Sequence, residues 1–83
     1  EHLAANHLHR THAPLMSTLQ ALVERGQRDG VFRTDLPPAW LVTAYFSLVH
    51  GADDHARVHG LGRDEAQEML ATTVRDVFAA RAS

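Results

Sequence analysis

The chain holds two neighbouring helical stretches whose apolar faces are too wide for a single core. Over residues 38–59, Leu41, Val42, Ala44, Tyr45, Phe46, Leu48, Val49, Ala52 and Ala56 cover roughly 200° of a helical wheel. Thr43, Ser47, His50, Asp54 and Arg57 form the polar stripe opposite. Residues 63–81 repeat the pattern. Their apolar arc runs from Ala66 through Met69, Val74 and Phe78 to Ala80, and Asp64, Glu65, Glu68, Thr72, Arg75 and Asp76 form the wet side. A helix on one core needs a stripe only a little over ~100° wide. Each of these two must therefore bury a second surface, and a chain of 83 residues has little left to cover both. A second copy of the chain meets that need: two such helices from each protomer make a four-helix bundle about a twofold axis. Further helices of a larger domain would meet it equally well, and periodicity does not separate the two.

The remainder is also expected to be helical. Residues 1–13 place Leu3, Ala4, His7 and Leu8 on one side of a short helix that starts without a cap, as if the chain were cut from a longer one. Pro14 is expected to open a second helix, to about Asp29, whose Leu15, Leu19, Leu22, Val23 and Gly26 fill a one-sided arc of roughly 120°. The segment "RDGVFRTDLPPAW" then interrupts it. Gly30 suits the left-handed position after a helix end. Asp35 suits a cap, and Pro37 and Pro38 suit a first helical turn. Phe32 and Leu36 need burial that a free loop does not offer. The expectation is an all-α single domain over residues 1–83, with four helices, the last two long and ending near His59 and Arg81.

Composition excludes several classes. With no cysteine there is no disulfide or thiolate metal site. A net charge of −2 argues against this chain alone gripping nucleic-acid phosphates. No apolar run spans a membrane and no signal-peptide pattern opens the chain, so a cytoplasmic location without a membrane partner is expected.

The run Gly26, Gly30, Phe32, Arg33 and Asp35, then a long helix through Val49, His50, Gly51 and Ala52, and a glycine-containing turn before a last helix, resembles the C-terminal half of TetR-family transcriptional regulators. The resemblance covers roughly residues 19–82. It implies a cytoplasmic homodimer whose last two helices bundle with those of the partner. It also implies a small apolar effector, and operator DNA bound only through an N-terminal helix-turn-helix domain that this chain lacks. A free-standing helical dimer that acts as an interaction module, without a ligand, is the alternative.

Within that frame the effector is placed near Met16, Leu19, Val23, Trp40, Phe46, Val49 and His50, since pockets between helices are mainly apolar. The partner is expected on Leu41, Ala44, Leu48, Gly51 and His55 of the third helical stretch. On the fourth it is expected on Ala66, Met69, Thr73, Val77 and Ala80. His55 and His59 lie one turn apart, and zinc accepts such imidazoles. No Asp or Glu completes a recognised signature, so no metal and no cofactor is assigned. His50 and Asp54 lack a nucleophile, so no catalytic residue and no enzyme activity is assigned.

Overall fold

In a computed structural model, residues 2–81 are described, with side chains from Pro14 onward. The described chain is all-helical: α1 (His2–Arg28), α2 (Pro38–His59) and α3 (Arg63–Phe78). The expected four helices are thus three, because α1 runs straight through Pro14. Proline removes one intrahelical hydrogen bond, but its fixed φ near −65° is itself helical. Here the ring interrupts the ladder without ending the helix. The side chains of residues 1–13, with the expected Leu3–Leu8 face and His2, His7, His9 and His12, lie outside the described residues.

Each boundary has a local cause. After α1, Gly30 sits at φ 75°, and the Val31 and Phe32 amides both donate to the Gly26 carbonyl, at 2.9 and 3.1 Å. Pro37 is the N-cap of α2, with Pro38 opening the helix. Asp35 does not cap it and is engaged elsewhere. Gly60 ends α2 at φ 67°, where the Leu61 amide donates back to the Ala56 carbonyl at 2.9 Å. α3 stops at Phe78, short of Arg81, because the chain beyond it turns to pair with the α1–α2 connection. Phe32 and Ala79 form an antiparallel bridge, with Arg33 N–H on the Phe78 carbonyl at 2.9 Å and Ala80 N–H on the Val31 carbonyl at 3.2 Å.

α2 packs against both α1 and α3. The result is flat, 44 × 34 × 16 Å, with a radius of gyration of 14.9 Å. A compact domain of this length would have about 12 Å. The enclosed core is correspondingly small: Val23, Leu41, Val42 and Phe78, flanked by half-buried Leu19, Phe32, Leu36, Tyr45, Phe46, Val74 and Val77. Phe32 and Leu36 therefore find their burial at this core. Large apolar side chains remain exposed on every helix, including Leu22 at 52%, Val58 at 75% and Met69 at 47%.

Candidate functional site

Two concave apolar features stand on this slab. The first is a groove of about 540 Å³. Leu19, Leu22 and Val23 of α1 form one wall and Val42 and Tyr45 of α2 the floor. Val74, Arg75 and Phe78 of α3 form the other wall, and Val31 and Phe32 of the connection close the end. Its volume lies within the about 300–1,000 Å³ usual for small-molecule sites. Aromatic contacts pack the closed end. Phe32 meets Phe78 edge to face with centroids 5.5 Å apart, and Tyr45 meets Phe78 likewise at 6.4 Å. One edge of the Phe32 ring crowds Gly26, where a Cβ would clash with Cδ2, Cε2 and Cγ.

An ion pair locks the connection from outside. Arg33 reaches Asp35 with Nε on Oδ1 and Nη2 on Oδ2, both at 2.7 Å, and its Nη1 donates to the Val77 carbonyl at 3.2 Å. Arg81 approaches the same carboxylate at 3.4 Å. The hydrogen bonds from Arg33 hold the Asp35 carboxyl well below the usual carboxylate range, and the same bonds raise Arg33. From the inner side, Gln27 donates to the carbonyls of Arg33 and Leu36, both at 3.0 Å. The Gly26–Asp35 run is thus a splice that ties the end of α1 to the end of α3.

The second feature is a hollow of about 220 Å³ along the seam between α2 and α3. It gathers Leu48, Gly51 and His55 from α2 with Ala66, Met69 and Thr73 from α3, all positions expected to face a partner. Ala44 is half-buried beside them. Three expected partner residues lie elsewhere. Leu41 is 0% exposed, so the chain's own atoms leave it no surface to offer. Val77 packs on the internal core, and Ala80 belongs to the bridge at the opposite end.

The expected effector residues divide. Leu19 and Val23 line the groove, and Met16 is exposed farther along α1 at 39%. Phe46 packs on the core, Val49 lies in a shallower, more polar depression with Asp53 and Arg57, and His50 is exposed. Trp40 is 57% exposed at the start of α2. Sequence reasoning missed Tyr45, Val74 and Phe78 as groove residues, since all three occupy wheel positions that equally suit plain core.

Other clusters are sparse. Asp54 pairs with Arg57, leaving His50 without the carboxylate four residues on. The His55 and His59 rings lie 4.3 Å apart, and among the described residues no group of three His, Cys, Asp or Glu side chains could enclose a metal. Among the same residues no helix is long and apolar enough to cross a membrane.

A family model described as "Tetracyclin repressor-like, C-terminal domain" matches residues 1–79. No curated protein matches the chain, and no solved structure does.

Proposed function

The chain belongs to the tetracyclin repressor-like C-terminal domain family, and from that premise we propose that it is the effector-binding and dimerisation part of a TetR-like transcriptional repressor. Domains of this family are parts of regulatory proteins and usually dimerise and bind small-molecule effectors. Here the partner is a second copy seated on the α2–α3 seam, and the ligand is a small, mainly apolar molecule in the groove over Tyr45 and Phe78. The protein works in the cytoplasm, and operator DNA is held by a separate N-terminal domain.

One observation carries this reading. Of the two apolar hollows on the slab, the groove spans all three helices and has the volume of a ligand site, whereas the seam hollow lies between α2 and α3 and is smaller. The smaller seam hollow is lined by small or flexible residues, Gly51, Ala66 and Met69, that let helix axes approach closely.

Sedimentation of the wild type and Leu48→Glu tests the dimer. The wild type sediments as a dimer and the variant as a monomer, because the seam would bury an unpaired carboxylate twice, at several kcal/mol each. A wild-type monomer refutes the dimer. A variant dimer as tight as the wild type refutes the seam. For the groove, an environment-sensitive naphthalene dye is titrated into the wild type and Leu22→Glu. Leu22 is half-exposed on the groove wall, so the charge leaves the core intact and weakens dye binding. Equal binding by both removes the groove as the site.

A further inference from the structure

His55 and His59 take no part in the groove, in the splice or in the core. They sit one helical turn apart on α2, both exposed, with ring centroids 4.3 Å apart and planes inclined by 38°. From this pairing one turn apart we infer that the two rings are a two-imidazole chelating site for a borderline divalent transition metal, of the nickel, copper or zinc class.

Three features of the surface support this chemistry. First, histidines at i and i+4 on one helix face are the spacing with which the H-E-x-x-H helix holds zinc through both rings. Here the intervening residues are Ala56, Arg57 and Val58. The glutamate that would serve as a hydrolytic base is therefore absent, and the site binds without catalysing. Second, the nearby carboxylates are already engaged. Arg57 lies 3.6 Å from Asp53 and also pairs with Asp54. This offsets the charge of Arg57 beside the rings, and the two imidazoles offer nitrogen donors. Nitrogen-only donor sets favour nickel, copper and zinc over magnesium and calcium, which prefer oxygen. Third, in the single chain both rings are exposed. Two protein ligands leave the remaining coordination positions to water, so the metal is exchangeable and the fold does not depend on it, unlike a closed structural zinc centre.

The inference rests on the histidine pair alone and does not require the dimer. His55 also borders the seam, so binding is measured on two backgrounds, the wild type and Leu48→Glu. Nickel(II) chloride is titrated calorimetrically into each, and into the same backgrounds carrying His55→Ala, His59→Ala or both. Magnesium chloride serves as the control and circular dichroism as the check on folding. The expected result is saturable nickel binding on at least one background, with a dissociation constant raised at least tenfold by either alanine and no response to magnesium. Nickel binding that survives the double substitution undiminished overturns the proposal, because the metal then sits on other groups such as the histidines of residues 1–13. Absence of saturable binding on both backgrounds overturns it as well.

Discussion

Gly26 and Gly51 both lie inside helices, and their surroundings are opposite. A Cβ built on Gly26 would clash with one edge of the Phe32 ring, whereas one built on Gly51 meets nothing within 4 Å. The first glycine is required by the chain's own packing: it lets Phe32 lie close against α1 and meet Phe78. The second is required by nothing within the chain, although glycine weakens a helix interior by roughly 0.5–1 kcal/mol relative to alanine. The contrast extends to the regions around them. At the splice, aromatic contacts, a short bridge and the Arg33–Asp35 pair close the structure from inside and out. Along the seam, Leu48, Gly51, His55, Ala66 and Met69 line a hollow that the chain leaves open. One end of the molecule is completed by its own residues. The other is left with small side chains and an exposed methionine, which suit the second copy proposed to cover it.

The largest expected effect is at Gly26. Gly26→Ala drives the Phe32 ring off α1, and the crowding reaches the ring's inner atoms, so a tip rotation does not relieve it. Overpacking of this kind costs about 1–3 kcal/mol, well beyond the gain in helix propensity. Chemical denaturation reads the loss. Wild-type stability in Gly26→Ala would mean that Phe32 has another seat and that the splice is not tightly closed.

Gly51→Ala should act with the opposite sign. In the Leu48→Glu background, where the partner is removed, it stabilises the chain by about 0.5–1 kcal/mol through helix propensity. In the proposed dimer of the otherwise wild-type protein the added methyl groups should hold the two copies apart, and sedimentation should show weaker association. Destabilisation of the monomeric background would place Gly51 against an internal neighbour. Unchanged association would move the seam away from it. Either result breaks the contrast between the two glycines.

What the sequence revealed follows the range of its signals. Apolar spacing located α2 and α3 because their wide arcs are long and uninterrupted, and the punctuation at Gly30, Pro37 and Pro38 marked the boundaries with a mechanism for each. It misjudged Pro14, since a proline reports the loss of one hydrogen bond but not whether the flanking helix continues. The end of α3 was hidden for a different reason. Residues 79–80 leave the helix to meet residues 31–33, a pairing across more than half the chain that no local pattern encodes. Leu41 shows the same limit on a finer scale. Its wheel position places it between the two edges of α2, and only the tertiary packing decides that it belongs wholly inside. The groove was half-legible: Leu19 and Val23 follow from the one-sided face of α1, while Tyr45 and Phe78 required knowing how α3 lies against α2.

The smallest effect sharpens the splice side of the comparison through pH. Asp35 is held well below the usual carboxylate range, chiefly by hydrogen bonds from Arg33. The unfolded chain has an ordinary aspartate, near ~3.9. Between the folded and unfolded values the unfolded chain binds more protons, so stability rises with pH across that window. The contribution of the pair is therefore complete above the ordinary value and declines as pH falls through it toward the lower, folded one. Arg33 is charged throughout and adds no slope. Asp35→Asn removes the titrating group but leaves a side chain of nearly the same shape that can still accept from Arg33. The wild type should exceed Asp35→Asn in stability by a constant margin from neutral pH down to about 5, and the margin should shrink below about 4. It should also narrow in high salt, because Asp35 is open to solvent and exposed pairs are screened. Paired denaturation series at several pH values measure the margin directly, with the other carboxylates common to both proteins. A margin that stays flat into strong acid would show that Arg33 holds the connection through the Val77 carbonyl alone, and that the splice is closed by its backbone and aromatic contacts rather than by charge.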